Sequence, residues 1–323
     1  MEVFVSVALC TYNGKAYIEE QLLSILNQTR RVDEIIISDD NSQDGTVKIV
    51  KKILNTYHIN YQVLVNKENL GVVKNFENAI KLCKGDIIFF SDQDDIWMED
   101  KVAETLNNFL NNNDCIMTFS DAELVNENND MLGTRLWDTL DFSIEYLEQN
   151  NLIDILLNRC VVTGATMAIR RDLFDKCTPF SQWWLHDGWI SLNATLYGEV
   201  IAIEKPLIRY RQHSKNVIGA SRKTSIQRIK KYINNINILE ENSIERYERY
   251  DTFLSFNKSK LDDNIKIKLL ECINYWQDMK KLNNLRKGDA LKIVVKNYMN
   301  KNYKKYYTGF RGFLRDIIYI WIK

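Results

Sequence analysis

The sequence lacks several features that would assign a function directly. It has no glycine-rich phosphate loop of the GxGxxG or GxxxxGK[ST] type, which argues against dinucleotide enzymes and P-loop NTPases. No apolar run reaches the ~18 residues of a membrane span. The formal net charge is +0, so no overall field attracts nucleic acid, and we expect no nucleic-acid partner.

Cysteine pairs are also missing, since the six cysteines are scattered without a CxxC motif. Several of them lie in apolar stretches, as reduced thiols do in the cytosol. The apolar segment Val3–Leu9 is too short for the core of a signal peptide. The hydrophobic fraction of 45% is ample for a core. We therefore expect a cytoplasmic globular protein, with peripheral attachment to the inner face of the plasma membrane left open.

Strand, polar loop and helix alternate in the first part of the chain. The pattern predicts strands at Val3–Cys10, Glu34–Ser38, Tyr61–Asn66 and Asp86–Phe90, and helices at Ala16–Gln28, Thr46–Tyr57 and Leu70–Cys83. Such alternation predicts a parallel, doubly wound sheet, in which ligands lie beyond the carboxyl ends of the strands. Polar clusters follow three of these strands: Thr11-Tyr12-Asn13, Asp39-Asp40-Asn41 and Asp92-Gln93-Asp94-Asp95.

The last of these clusters carries the strongest chemical signal. Asp92, Asp94 and Asp95 come directly after an apolar strand and would repel one another without a positive charge between them. Hard cations such as Mg²⁺ or Mn²⁺ bind through a few carboxylates together with substrate phosphates. The alternative is that Asp94 or Asp95 caps the helix that follows, which would explain one carboxylate and leave the others without a role.

An ordered set of motifs resembles a known family. The motifs are VSVALCTYNGKAYIEEQLLSILNQT, IIISDDNSQDGT, NLGVVKNFENAI, GDIIFFSDQDDIW, VVTGATMAIRRDLF, LHDGWISLNA and YRQHSKNVIGA. From about Val3 to Ala220 the chain resembles family 2 glycosyltransferases, and the later motifs resemble their bacterial rhamnosyltransferase-like branch. The resemblance implies an α/β GT-A fold for nucleotide-diphospho-sugar transfer, with a mostly parallel sheet flanked by helices. We expect a catalytic domain at 1–220 and a helical appendage at 221–323.

The resemblance also implies how the donor is held. In the family, the positions matched by Thr11, Tyr12 and Asn13 hold the base and ribose, and the position of Asp40 hydrogen-bonds the pyrimidine. Lys74 matches a cation near the donor, although a solvated lysine on a helix is an equal alternative. Its neighbour Asn75 matches an amide near the donor.

The implied metal site uses the family's DXD motif, which Asp92-Gln93-Asp94 matches. Asp94 is expected to bind Mn²⁺ or Mg²⁺ directly, Asp92 to contact the donor ribose or a metal-bound water, and Gln93 to contact the nucleotide sugar. Asp95 is expected to cap the following helix. His213 matches a late histidine that approaches the metal or diphosphate, with a structural role as the alternative.

The acceptor side is assigned from the segments around 160–190. Cys160–Ile169 is expected to form strand, glycine turn and strand, with Gly164 and Ala165 lining the sugar pocket. Trp184 and His186 are placed beside them, and the position of Asp187 holds the family's catalytic base. An aspartate there can take the proton from an attacking sugar hydroxyl. The plain alternative is that Asp187 is a helix N-cap.

The last hundred residues have a different composition. Apolar residues at helical spacing predict a helical appendage: Ile226, Ile229, Ile233, Ile236 and Leu239. The end, Lys296–Lys323, interleaves basic and aromatic residues, and one helix face is expected to carry Phe310, Phe313, Leu314, Ile317, Ile318 and Trp321. Such a face suits an anionic membrane surface, and docking on the protein is the alternative.

Together these features predict an inverting glycosyltransferase of surface polysaccharide synthesis. It would move a sugar from dTDP-rhamnose or a UDP-hexose to a glycan or lipid-linked saccharide, with a metal ion assisting and Asp187 as base. The alternatives are a sugar-phosphate nucleotidyltransferase and a non-catalytic, membrane-associated protein that binds nucleotide sugars.

Overall fold

The computed structural model describes residues 3–213, 237–307 and 309–322. The chain divides into two compact units, Met1–Ser221 and Arg222–Lys323. The predicted domain boundary at 220/221 and the predicted helical period from Ile226 to Ile236 lie outside the described residues.

The first part of unit 1 is a parallel sheet with intervening helices. Its elements are β1 (Val5–Thr11), α1 (Ile18–Leu26), β2 (Glu34–Asp39), α2 (Thr46–Leu54), β3 (Asn60–Val65), α3 (Val72–Leu82) and β4 (Ile87–Ser91). The strands lie in the order β3-β2-β1-β4 and all pair in parallel. β1, β2 and β4 are buried along their whole length, as expected for apolar strands covered by helices on both faces. The predicted elements are confirmed, with ends that differ by a few residues.

The rest of unit 1 makes the sheet mixed. Its elements are β5 (Ile96–Trp97), α4 (Lys101–Asn111), β6 (Cys115–Val125), β7 (Met131–Arg135), α5 (Leu136–Thr139), α6 (Ile144–Gln149), α7 (Leu152–Asn158), β8 (Met167–Arg170), α8 (Arg171–Cys177), α9 (His186–Ala194) and β9 (Glu199–Arg211). The sheet continues β4-β8-β6-β9-β5, with β7 beside β6. β8 runs antiparallel to β4 and β6, whereas β9 is parallel to β6.

β6 lies inside the mixed part of the sheet, parallel to β9 and antiparallel to β7 and β8. One local prediction in this part needs correction. Within Cys160–Ile169, the first predicted strand is absent: a 3-10 turn at Gly164–Thr166 leads directly into β8. The buried turn is closed by the Thr166 N–H, which donates to the Thr163 carbonyl at 2.9 Å.

The register of the parallel strands brings their polar ends together. Thr11 at the end of β1 pairs with Asp39 at the end of β2, and Leu9 pairs with Ser91 at the end of β4. The loops after β1, β2 and β4 therefore leave the same edge of the sheet side by side. This is the edge at which parallel sheets hold their ligands.

Unit 2 is helical in its described residues. It contains α10 (Asn237–Phe256), α11 (Asp263–Lys281), α12 (Lys287–Met299), α13 (Asn302–Tyr306) and α14 (Phe310–Ile322). Aromatic side chains make up much of its core, including Tyr250, Phe253, Tyr275, Trp276 and Tyr303. Across the described parts of both units, none of the helices combines the length and apolarity that crossing a bilayer requires.

Candidate active site

The loops after β1 and β2 are locked together by hydrogen bonds. Thr11 Oγ1 donates to Asp39 Oδ2 over 2.6 Å, and the same carboxylate accepts from the backbone N–H and the hydroxyl of Ser42. Asn13 continues the contact, because its backbone N–H donates to Ser42 Oγ over 2.8 Å. Asp39 is thus a loop brace, and Thr11 is buried within the same network.

Asp40 has a similar bracing position on the other side of β2. Its Oδ1 accepts from Asn66 Nδ2 at 2.9 Å and from the Leu70 N–H at 2.8 Å, and its Oδ2 accepts from the Gly71 N–H at 2.9 Å. Asp40 is buried. The carboxylate predicted to bind the pyrimidine therefore already fixes the loop that leads into α3.

The middle residue of the DXD motif holds the first loop. Gln93 Oε1 accepts from the Tyr12 N–H at 2.8 Å, while Gln93 Nε2 donates to the Tyr12 carbonyl at 3.0 Å. A Cβ on Gly14 would lie 2.1 Å from Gln93 Oε1, so this approach requires glycine. The Tyr12 side chain is about half exposed, at 49%, and is the part of this loop that can meet a base.

The two α3 residues assigned to the donor differ from each other. Lys74 is exposed and forms an ion pair with Glu77 Oε2 at 2.5 Å. Asn75 is buried and is bonded to β2, donating to the Ser38 carbonyl and accepting from Ser38 Oγ. Both ends of the Asn75 amide fix α3 on the sheet, and the expected position of Asn75 near the donor stays a prediction.

The carboxylates that follow β4 lie in different surroundings. Burial, followed by the charges of Asp94 and Asp187, raises the pKa of Asp92 to about 7. Asp95 is buried, and its Oδ1 accepts the Arg211 N–H at 3.0 Å. The predicted capping role of Asp95 is wrong, because α4 starts six residues later, after Asp100.

Asp94 and His213 are neighbours across the site. His213 Nε2 lies 2.9 Å from Asp94 Oδ2, and both side chains are largely buried. The His213 ring stacks on the Tyr17 ring, and the Arg211 guanidinium lies 4.9 Å from the centroid of the Tyr17 ring. Arg211 also donates to the Asp94 carbonyl at 2.8 Å and to Glu20 at 2.6 Å, so its charge is used to hold the motif in place.

The pair fits a divalent ion in its spacing. Two ligands at right angles on an ion with bonds of about 2.1 Å lie about 3.0 Å apart. Within the described residues, no group of three or more His, Cys, Asp or Glu side chains gathers to hold a metal. Asp94 and His213 would therefore supply two ligands and leave the other positions to water and donor phosphates, as Mg²⁺ and Mn²⁺ sites commonly do.

Asp187 lies in the first turn of α9, beside the Gly164–Thr166 turn. Its Oδ2 is 3.3 Å from the Gly164 N–H, and its Oδ1 accepts the Gly188 N–H at 2.7 Å. Leu185 is the residue before the helix, so Asp187 is inside the helix and is not its N-cap. The carboxylate keeps lone pairs that these two backbone contacts do not use.

The other residues placed at the acceptor pocket are mostly buried. Trp184 packs on Gly188, where an added Cβ would lie 3.2 Å from the indole ring. His186 stacks on Phe76 with ring centroids 4.0 Å apart, and a Cβ on Gly164 would meet its Nε2 at 2.4 Å. Neither ring nitrogen of His186 has a hydrogen-bond partner among the described residues.

Asp92 and Asp187 belong to one cluster of acidic side chains. The charge of Asp187 is among the causes that raise the pKa of Asp92, so the two carboxylates are near each other although they are far apart in sequence. Sequence reasoning missed two residues in this cluster. Burial and then four carboxylates raise the pKa of Tyr210: Asp95, Asp92, Asp94 and Asp187.

The second missed residue is Lys101, at the start of α4. Its ammonium donates to the Ala165 carbonyl at 2.7 Å and lies 4.2 Å from the centroid of the Trp97 ring. Burial lowers its pKa to about 7, against the opposing charges of Asp95 and Asp92. The sequence holds one signal for it: Lys101 falls in register with the buried Thr105 and Phe109, on the inner face of α4.

Comparison with known proteins agrees with this geometry. The sequence pattern of glycosyl transferase family 2 matches residues 6–178. This chain belongs to glycosyl transferase family 2. It is therefore an enzyme, a glycosyltransferase with the GT-A fold, and the family predicted from the motifs is confirmed.

Curated relatives of this family 2 transferase include enzymes that transfer deoxysugars. The dTDP-rhamnosyl transferase RfbG of Shigella flexneri is 30% identical over 241 residues, which cover 66% of this chain and 74% of RfbG. The abequosyltransferase RfbV of Salmonella typhimurium is 32% identical over 181 residues, and the match spans about half of each protein, 54% of this chain and 53% of RfbV.

Solved structures with the same fold are more distant in sequence. TarS 1-349 of S. aureus with UDP-GlcNAc has a TM-score of 0.58 at 17% identity and covers 98% of this chain and 89% of its own. The mannosyltransferase PcManGT of Pyrobaculum calidifontis, solved with GDP-Man and Mn²⁺, has a TM-score of 0.57 at 16% identity, covering 92% and 75%. At these identities the likeness shows the fold of the family 2 transferase.

Proposed function

We propose that this family 2 transferase moves a sugar from a nucleoside-diphosphate donor to a saccharide or lipid-linked acceptor by a single inverting displacement. The observation that carries the proposal is the cluster in which Asp187 lies near Asp92 of the DXD motif. One end of the cluster holds the candidate metal ligands Asp94 and His213, and the other holds a carboxylate with free lone pairs. A donor sugar bound between them would have its leaving group at one end and its attacker at the other.

Asp187 would take the proton of the attacking hydroxyl. An ionised carboxylate accepts hydrogen bonds, and the two backbone N–H contacts from Gly164 and Gly188 fix its orientation before the acceptor arrives. The buried aromatic side chains Trp184 and Phe76 lie nearby and help exclude water from this side. We see no second carboxylate in the described residues with the role of a nucleophile, and this supports inversion.

Asp94 and His213 would hold the divalent ion, with Asp92 near the donor ribose or a metal-bound water. When bound, the ion supplies Lewis-acid stabilisation of the charge that builds on the departing diphosphate. An imidazole nitrogen in the ligand set favours Mn²⁺ over Mg²⁺, which prefers oxygen ligands. Tyr12, Asn13 and the loop braced by Asp40 would hold the nucleoside, and Lys74 would be free to move from Glu77 towards a phosphate.

For the donor we favour a dTDP-linked deoxysugar, with a UDP-hexose as the second choice. The relatives RfbG and RfbV are named for rhamnose and abequose transfer, which supports a deoxysugar donor and a role in surface polysaccharide synthesis. All six cysteines lie in the described residues without a disulfide, and five are buried, in keeping with the reducing cytoplasm where such donors are made.

We also propose that unit 2 contacts an anionic membrane surface peripherally. One side of α14 docks on the unit through Asp316, which accepts from the Tyr303 hydroxyl at 2.8 Å. The other side remains exposed and carries four large apolar residues: Phe310, Leu314, Ile318 and Trp321. Exposed basic residues accompany them, including Lys304, Lys305 and Arg311.

Flotation with vesicles that contain anionic lipid tests the membrane contact. The full-length protein should float, and replacing Phe310, Leu314 and Trp321 together by serine should abolish flotation. Unchanged flotation of the triple variant would show that this face is not the contact.

The enzymatic proposal is tested with a panel of nucleotide sugars in the presence of Mn²⁺ or Mg²⁺. Release of the nucleoside diphosphate from one donor, faster with Mn²⁺ and accelerated by a saccharide acceptor, is the expected result. Formation of a nucleotide sugar from a sugar phosphate and a nucleoside triphosphate would instead identify a nucleotidyltransferase. No turnover of any donor would favour a non-catalytic binding protein.

A further inference from the structure

Lys101 occupies an unusual position for a lysine. It is 1% exposed, and no other lysine of the described residues is fully buried. Its ammonium makes one hydrogen bond, to the carbonyl of Ala165, and lies against the Trp97 ring. Burying a charge is costly unless opposite charges and hydrogen bonds compensate, so this position needs a reason.

On one side Lys101 contacts the segment that follows the acidic loop. Its ammonium lies over the ring of Trp97, which comes two residues after Asp95. Asp95 is also 1% exposed, and its Oδ1 takes the N–H of Arg211, whereas its Oδ2 has no hydrogen-bond partner among the described residues. The guanidinium of Arg211 is directed to Glu20 and to backbone carbonyls.

On the other side Lys101 reaches the turn beside the base. Ala165 and Gly164 belong to the same 3-10 turn, and the Gly164 N–H is 3.3 Å from Asp187 Oδ2. One side chain thus touches both the turn that contacts Asp187 and the Trp97 ring that follows the acidic loop. Since β4 and α9 are distant in sequence, such a link can set the spacing between the two ends of the site.

We propose that Lys101 is a positioning residue that fixes the acidic loop after β4 relative to Asp187, by packing on the Trp97 ring and by holding the carbonyl of Ala165. The inference rests on the proposed function, because it assigns the two linked segments to one reaction. A small displacement between reacting groups can lower turnover on the order of 100-fold while leaving binding contacts in place. A lysine that served folding alone would affect stability without this separation.

The test compares Lys101→Met with Lys205→Met. Lys205 is a suitable control because it pairs with Asp100 and Glu104 at the start of the same helix but is largely exposed. In metal-free protein, hydrogen exchange of the peptide covering 160–169 should become faster in Lys101→Met and stay unchanged in Lys205→Met. With the donor that the wild type turns over, kcat of Lys101→Met should fall at least about 10-fold while the donor KM changes less than about threefold.

A second pair of variants covers a possible failure of Lys101→Met to fold. Asp95→Asn removes the buried carboxylate of the acidic loop, so the double variant Lys101→Met/Asp95→Asn has no ionisable side chain at either buried position. It should fold, yet its kcat should remain below that of Asp95→Asn, because the bond to Ala165 is still missing. Equal kcat in these two variants would overturn the positioning role.

Two further results would also overturn the inference. One is a lower melting temperature of Lys101→Met with unchanged exchange at 160–169 and unchanged kcat for the folded protein. The other is equal behaviour of the Lys101 and Lys205 variants. Failure of the proposed function looks different, because the wild type itself would then transfer no sugar from any donor.

Discussion

The two ends of the site are built differently. At the nucleotide end, the side chains of Thr11, Asp39, Asp40 and Gln93 are all bonded to neighbouring loops. At the base end, Asp187 makes one contact at 3.3 Å and another to its own helix, and His186 has no hydrogen-bond partner among the described residues. At the first end these side chains are hydrogen-bonded within the protein, whereas the second end leaves polar groups available to a substrate.

This difference indicates how the two ends respond to substitution. A residue whose polar atoms are all bonded within the protein should matter mainly for stability, because its loss leaves buried partners unsatisfied. A residue with available polar atoms should matter mainly for turnover. The following variants test that division.

The largest expected effect belongs to Asp187→Asn. Without a base, kcat should fall by ~10²–10⁴ while the melting temperature stays close to that of the wild type. Steady-state transfer assays and thermal unfolding measure both quantities. Asp172→Asn, which removes an exposed carboxylate on α8, is the matched control and should leave kcat unchanged. A normal kcat in Asp187→Asn would remove this residue from the reaction.

Asp40→Ala should show the opposite pattern. It removes the acceptor for the Leu70 and Gly71 N–H groups and for Asn66, and these donors would lie unsatisfied beneath the loop. We expect a loss of stability of about 2–4 kcal/mol, measured by urea unfolding. If the variant keeps wild-type stability but loses nucleotide binding, Asp40 binds the nucleotide and its hydrogen bonds do not stabilise the loop.

Asp92→Asn tests the electrostatics between the two ends. The pKa of Asp92 is about 7 in the folded protein and 3.8 in its ordinary surroundings. Between these values the folded state keeps a proton that the unfolded state has lost, so the contribution of Asp92 to stability falls as the pH rises towards 7. In EDTA, the melting temperature of Asp92→Asn should therefore rise relative to that of the wild type between pH 5 and pH 8. A difference in melting temperature that does not change with pH would contradict the raised pKa of Asp92.

His186→Phe should affect stability much less than Asp40→Ala. The ring contact with Phe76 is kept, and no hydrogen bond to a described residue is lost. We expect a loss below about 1.5 kcal/mol in the same urea experiment. A loss as large as that of Asp40→Ala would show that the two ends do not differ in the way described.

The sequence predicted the elements that lead to the loops after β1, β2 and β4 better than the elements around Asp187. β1, β2 and β4 are short apolar runs that stop at polar clusters, and such local patterns are sufficient to place Thr11, Asp39 and Asp94 at one edge of the sheet. The roles of single carboxylates were harder to predict. Asp95 was assigned to a helix cap because its partner, the Arg211 N–H, comes from the far end of the domain.

The other contacts that the sequence did not predict depend on the topology of the sheet. The mixed order β4-β8-β6-β9 brings Tyr210 and His213 to the acidic loop, and no local pattern encodes that order. The sequence holds one local signal for Lys101, its helical spacing with Thr105 and Phe109. A lysine in the first turn of a helix is nevertheless ordinarily solvated. The hydrogen bonds from the loop at 66–71 to the Asp40 carboxylate have no sequence signal of their own, and the expected contact of Asp40 with the pyrimidine stays a prediction.

We propose that one site has a metal end and a base end. Calorimetric titration of UDP, dTDP and GDP, with and without Mn²⁺, into the wild type, Asp94→Ala and Asp187→Asn distinguishes the two ends. We expect Mn²⁺ to strengthen binding of one nucleotide in the wild type and in Asp187→Asn, and Asp94→Ala to abolish this gain. Binding that is independent of Mn²⁺ in the wild type, or lost equally in both variants, would contradict it.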